Sequence, residues 1–301
     1  MNRRQVLMGL GGLTLSGIPQ LSFAETKIKL GASELISVSD GNLVLPGDML
    51  FDGLPQAEME GILTQYGLPF DQFEPPCNLT LLKQENATIL FDAGSGSNFM
   101  PSAGTILDNL EALDVAPEDI THVVFTHGHP DHLWGILDDF DDLVFADAQL
   151  MIGQAEWEYW TDPNTVNTIN EARTTFAVGA ARRLDAIKDQ ISFFNDAQEI
   201  LPGVMAHSTP GHTPGHMSFE IREGSDAVMV GGDAIINHHV AFARPEWPNG
   251  SDHDRELGAK TRIRLLDQLA TDKMTLLGFH LVDGGLGRVE RSGDNYRFVT
   301  E

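Results

Sequence analysis

The stretch Thr121 to Gly135, THVVFTHGHPDHLWG, constrains this chain more than any other. Val123, Val124 and Phe125 form a short apolar run that reads as a buried strand. Gly128 and Pro130 break regular structure directly after it, so the three histidines and the aspartate around them lie on a tight loop at the strand end. Leu133, Trp134, Ile136 and Leu137 then resume at helical spacing. The loop therefore brings His127, His129, Asp131 and His132 together within six residues. Packing gives no reason for that density of polar donors. Imidazole and carboxylate side chains suit zinc and similar divalent ions.

Strand, loop and glycine signals recur further on. Val204 to Ser208 reads as a strand running into TPGHTPGH, which places His212 directly after it and His216 four residues later. Met217 to Ile221 and Ala227 to Val230 form a hairpin that ends at Gly231-Gly232-Asp233. Leu276 to Phe279 is a last buried strand that delivers His280. Upstream, Leu79 to Leu82 and Thr88 to Phe91 pair around Glu85-Asn86 and run into Asp92-Ala93-Gly94. Ile106 to Leu113 and residues 167–190 read as helices, the latter burying Phe176, Leu184 and Ile187. Residues 26–45 suggest strands turning at Asp40-Gly41-Asn42, and 46–76 an irregular excursion.

HGHPDH, with TPGHTPGH, GGD and GFH following in order, resembles the signature set of the metallo-β-lactamase superfamily, over nearly all of the chain after residue 25. The GLGRVER and YRFV stretches look most like its methyl parathion hydrolase and lactonase branch. The resemblance implies an α/β fold, an αβ/βα sandwich of two mixed sheets flanked by helices, as one domain over 25–301. It also implies two divalent metal ions, most simply zinc. One would take His127, His129 and His212, the other Asp131, His132 and His280, with Asp233 bridging both. Asp131 would in addition be catalytic, Asp92 would steady the metal loop, and His216 would be structural. The implied activity is hydrolysis of a neutral ester, lactone or organophosphate by a hydroxide shared between the metals. A mono-iron sulfur dioxygenase or a β-lactamase on the same fold is the alternative. Trp134 departs from the family by replacing a residue that is usually small.

Other features bear on partners and location. Asn2-Arg3-Arg4 precedes an apolar run from Val6 to Ile18, and Ser22-Phe23-Ala24 offers small residues for cleavage, so 1–24 reads as a twin-arginine export signal. The expected destination is the periplasm, with no membrane attachment after cleavage. Loss of Arg3 and Arg4, with no acid in that segment, takes the net charge from −25 to −27. Such acidity argues against nucleic acid and anionic membranes, and leaves a small-molecule substrate as the expected partner. A homodimer is compatible with this reading. Cys77 is the only cysteine, which rules out an internal disulfide. Asp138 to Asp142 reads as a solvated acidic loop, with calcium as the alternative, and Glu156 to Trp160 as an aromatic segment near the cleft or in the core. His238 and His239 are placed near the cleft but outside the metal set. His122, His207 and His253 have no spacing argument, and no tyrosine is assigned a role. Arg244 and Arg288 are the basic groups considered for the cleft.

Overall fold

The computed structural model describes residues 26–300; the export signal expected over 1–24 lies outside the described residues. Two seven-stranded sheets form the centre. In the first, Thr26–Leu30, Ser33–Asn42, Pro76–Gln84 and Ala87–Phe91 pair antiparallel in that order. His122–Phe125, Gln149–Gly153 and Ile191–Phe194 then continue the sheet in parallel. The second sheet runs Glu199–Leu201, Val204–Ser208, Met217–Glu223, Asp226–Gly232, Thr275–Gly278, Leu286–Ser292, Asn295–Thr300. Its pair Asp226–Gly232 with Thr275–Gly278 is parallel and the rest antiparallel. Both sheets are mixed, as the resemblance implied.

Alternation along the strands builds the layers. Val124 faces inward and joins Leu82, Phe91, Phe219, Val230 and Leu277 in the core between the sheets. Its neighbours Val123 and Phe125 face the other way, onto the helices Ile106–Ala112 and Thr174–Ile187 through Leu110, Leu184 and Ile187. On the far side, Met229 and Leu276 pack against Leu265, Leu266 and Leu269 of the helix Arg255–Asp272. Helix, sheet, sheet, helix is the resulting order. No described helix is long and apolar enough to cross a membrane.

Three local expectations are corrected. The hairpin turn falls at Gly31-Ala32, not at Asp40-Gly41-Asn42. Asp40 is instead buried, and its carboxylate accepts from Ser95 N and Oγ and from Ile106 N. The helix read over 167–190 is broken: a turn at Thr165–Thr168 and another at Glu171–Arg173 precede Thr174–Ile187. The Asn170 side chain accepts from Ala172 N and competes with the helical pattern there. The excursion after Pro46 contains two helices, Gly47–Phe51 and Gln56–Gln65, around a satellite core of Leu50, Phe51, Leu63 and Phe73.

Candidate metal centre

Four loops meet at one edge of the sandwich, each following a strand. The loop after His122–Phe125 carries only His127 and His129, because Pro130 starts the short helix Pro130–Leu133, which carries Asp131 and His132 in place of the expected loop; the loop after Val204–Ser208 carries His212. Asp233 directly follows Asp226–Gly232, and His280 lies two residues past Thr275–Gly278. Glycine permits the sharp entry to Asp233: Gly232 has φ 52°, and a Cβ there would meet His216 Nε2 at 2.7 Å.

The side chains converge as two sets that share one carboxylate. His127, His129, His212 and Asp233 form one, and Asp131, His132, Asp233 and His280 the other, with all ligand atoms of each set within 4.8 Å of one another. Asp233 Oδ2 lies 3.2 Å from His212 Nε2 and 3.3 Å from His280 Nε2, while its Oδ1 lies 3.3 Å from His132 Nε2. Asp131 Oδ2 lies 3.2 Å from His280 Nε2 and 3.5 Å from His132 Nε2.

Each histidine spends its outer nitrogen elsewhere. His280 Nδ1 donates to Pro76 O at 2.8 Å; a carbonyl can only accept, so Nε2 is the nitrogen that faces the centre and would meet a metal in exchange for its proton. His132 Nδ1 meets Asp92 Oδ2 at 2.8 Å, and His212 Nδ1 meets Asp252 Oδ1 at 3.3 Å. His127 Nδ1 contacts Thr126 Oγ1, whose hydroxyl also reaches Asp92. His129 is reversed: its Nε2 contacts His253 Nε2 at 3.0 Å and its Nδ1 faces His212. His127 Nε2, His132 Nε2, Asp131 Oδ2 and Asp233 Oδ1 are buried without a hydrogen-bond partner among the described residues. Buried polar atoms are rarely left so. Four inward-facing donors with that deficit, set in two nitrogen and oxygen shells, fit a pair of divalent ions.

Electrostatics agree with a site built for cations. Burial opposes ionisation of Asp233, yet His280, His132 and His212 hold its carboxyl well below the usual range. Burial likewise opposes charge on His132, but Asp233, Asp131 and Asp92 raise it well above an ordinary histidine. Burial and the neighbouring histidines depress His127 and His129. His216 is spent twice, accepting from Asp233 N and contacting Thr209 Oγ1, and burial takes it down to about 3.

Above the ligands is a cavity of about 60 Å³ whose wall is mostly apolar, including Leu43, Leu50, Phe99, Phe176 and Ile236. Arg173 and Ser251 are its polar lining beyond the ligand set. Arg173 is nine-tenths buried, and its guanidinium donates to Gly250 O at 2.6 Å. Arg244 pairs instead with Glu58, and Arg288 lines a groove elsewhere, so neither lines this cavity. Trp134 packs beneath Phe99 and under the Arg183 guanidinium, 4.3 Å from its ring centre.

Several groups here had no sequence signal. Asp252 orients His212 and is itself flanked by Arg262. His253 joins His129 to the Tyr159 hydroxyl, 3.1 Å from its Nδ1. Glu156, within the aromatic segment, is fully buried between the two histidine loops. Asp92, by contrast, was expected from the resemblance to steady the metal loop, and its carboxylate does contact Thr126 N and His132 Nδ1. Of the acids at 138–142, Asp138 accepts from Phe140 N and Asp142 N within the loop, while Asp139 accepts from Ser97 and Asn98 and Asp141 pairs with Arg182. His207 pairs with Glu220 away from the site, and His238 and His239 pack around Tyr66.

Comparison with known proteins agrees with this geometry. The family model of the metallo-beta-lactamase superfamily matches residues 73–280. The solved structure of AidC, a dizinc quorum-quenching lactonase in complex with a product, superposes with a TM-score of 0.87 at 26% identity, over 92% of this chain and 97% of that one. An N-acyl homoserine lactonase of Bacillus sp is 24% identical over 243 residues, 71% of this chain and 85% of the relative. The uncharacterized protein YobT of Bacillus subtilis (strain 168) is 27% identical over 198 residues, 64% of this chain and 79% of its own length.

Proposed function

The chain belongs to the metallo-beta-lactamase superfamily and is a metal-dependent hydrolase, and from that premise we propose that it opens a neutral lactone or cleaves an equivalent ester. The observation that carries the reading is the double ligand set joined at Asp233, beneath an apolar wall. His127, His129 and His212 would hold one divalent ion, Asp131, His132 and His280 the other, and Asp233 both. Two such ions, zinc by the donor set, supply Lewis acidity: they acidify water and polarise the bond under attack. The apolar wall receives the acyl portion of a substrate and excludes bulk water. Asp131 places a carboxylate oxygen among the ligands of the second set, where it can take a proton from the attacking water and return it to the leaving oxygen. Lactonase relatives of this size support a lactone over a β-lactam.

The purified protein is expected to carry close to two divalent ions per chain. In a panel of lactones, phosphotriesters and β-lactams it should turn over the neutral members with the higher kcat/KM. A net charge of −25 in the full chain repels anions during encounter. Screening confines that field to about 8 Å at physiological ionic strength, so added salt should help the anionic substrates selectively. A preferred β-lactam at low salt would reject the substrate class. A single iron with oxygen consumption would reject hydrolysis in favour of a dioxygenase.

Export is the second part of the proposal, carried by Asn2-Arg3-Arg4 and the apolar run behind it. Changing Arg3 and Arg4 together to lysine should hold the precursor in the cytoplasm, because the arginine pair is what the receptor reads. Normal periplasmic levels of the double variant in a fractionation experiment would rule the signal out.

A further inference from the structure

We propose that Glu156 is a positioning residue that locks the two histidine loops together and thereby sets metal affinity, without touching metal or substrate; this rests on reading those loops as ligand carriers. Glu156 lies in the first turn of the helix Gln154–Thr161 and is fully buried. One carboxylate oxygen, Oε1, accepts from Gly128 N at 2.8 Å and from Trp160 Nε1 at 2.5 Å. The other, Oε2, accepts from Thr213 Oγ1 at 2.7 Å and from Gly215 N at 3.0 Å. Gly128 sits between His127 and His129, and Thr213 directly follows His212. One carboxylate thus reaches the chain next to all three histidines of the first ligand set.

The loops are shaped to receive it. A Cβ on Gly215 would lie 2.1 Å from Glu156 N, and one on Gly128 would lie 2.5 Å from Trp160 Nε1. Glycine at both places lets the two loops close on this helix from opposite sides. Trp160, one turn along, fixes the carboxylate and packs edge-on against His129, with 5.7 Å between ring centres. A buried carboxylate is costly unless its acceptor sites are filled. Here four donors fill them, two of which are loop amides that would otherwise be buried unpaired. An apolar side chain of the same size would fill the space but leave both amides unsatisfied and the loops free to separate.

Glu156→Gln keeps the shape but replaces one acceptor oxygen by an NH₂ group facing donors. Zinc affinity, read by competition with a chromogenic chelator, should fall about 10–100-fold, the range for partners that orient metal ligands. The visible spectrum of the cobalt-substituted protein should shift, because the geometry of the first set changes. Thr213→Val removes one side-chain bond and no backbone bond, and guards against a Gln variant that fails to fold. It should weaken zinc several-fold with the same spectral direction. Wild-type affinity and spectrum in Thr213→Val, or in a folded Glu156→Gln whose melting temperature alone has dropped, would reduce Glu156 to a packing role and overturn the proposal. Failure of the wild-type protein to bind any divalent ion would overturn the reading of the site itself, a separate outcome.

Discussion

Asp233→Ala is expected to leave a folded protein that holds less than one divalent ion per chain and has lost more than about 10³-fold in kcat/KM. The size follows from position. Asp233 is the residue common to both ligand sets, with Oδ2 toward His212 and His280 and Oδ1 toward His132. Removing it deprives each set of an oxygen and leaves both with three protein ligands. Lewis-acid stabilisation by a metal contributes several kcal/mol to a hydrolytic transition state, and each ~1.4 kcal/mol is tenfold in rate. The fold should survive because the inter-sheet core of Val124, Phe219, Val230 and Leu277 does not include this side chain. The local backbone anchor survives too: it is the main-chain N of Asp233 that donates to His216 Nε2. His212→Ala is the internal control, since His212 belongs to one set and should empty mainly one position. Elemental analysis of both variants beside kcat/KM decides the matter. Two retained ions in Asp233→Ala would show that the sets do not depend on a shared carboxylate.

What could be read from the sequence divides along a physical line. Elements specified by local chemistry were legible. Val123-Val124-Phe125 followed by Gly128 and Pro130 places a strand and a loop whatever the rest of the chain does, and the strand is found at His122–Phe125. The turn at Glu85-Asn86 between two apolar runs gives the observed antiparallel pairing of Leu82 with Ile89. Among the groups around the ligands, Asp92 and His216 were legible through the resemblance, whereas Asp252, His253 and Glu156 were not, because their partners are distant in the chain. Asp252 is 40 residues from His212, and His253 is 124 residues from His129. No periodicity or spacing records such contacts. The acid in Glu156-Trp157-Glu158-Tyr159-Trp160 that turns inward is Glu156, which the helix places beside two loops 28 and 57 residues away.

Asp40-Gly41-Asn42 failed in the opposite direction. Its composition is that of a hairpin turn, but tertiary contacts override it. Gly41 has φ 93°, and a Cβ there would come within 2.1 Å of Ser102 O. The glycine serves a close backbone approach, and Asp40 ties down Ser95 and Ile106. The same residue types therefore mark a tight crossing of two segments here and a turn elsewhere.

Asp92→Asn should separate the two roles that an aspartate at this position can have, turn and metal-site support. Asp92 adopts φ 67°, a left-handed conformation that asparagine also tolerates, so the substitution leaves the backbone in place. Its carboxylate is buried at 1% exposure. Oδ1 accepts from Thr126 N at 2.7 Å, and Oδ2 meets His132 Nδ1 at 2.8 Å. Burial raises its pKa, against the pull of His132 and the Thr126 bonds, so this carboxylate is retained at an energetic cost. The pairing determines the tautomer of His132. A carboxylate accepts a hydrogen bond from Nδ1–H and so makes Nε2, which faces Asp131 and Asp233, the nitrogen that a metal would take in exchange for its proton. An asparagine that keeps its oxygen on Thr126 N turns its NH₂ toward His132 Nδ1. The ring must then carry its proton on Nε2, where it blocks ligation. Affinity at the second set is expected to fall about 10–100-fold, with a smaller loss at the first set, which does not include His132. Asp92→Ala should lose metal and stability together, because it leaves Thr126 N and His132 without their buried partner, at about 3–5 kcal/mol. Chelator competition and the melting temperature of the metal-free protein distinguish these outcomes. Full affinity for both ions in Asp92→Asn would mean that the aspartate shapes the turn and nothing more.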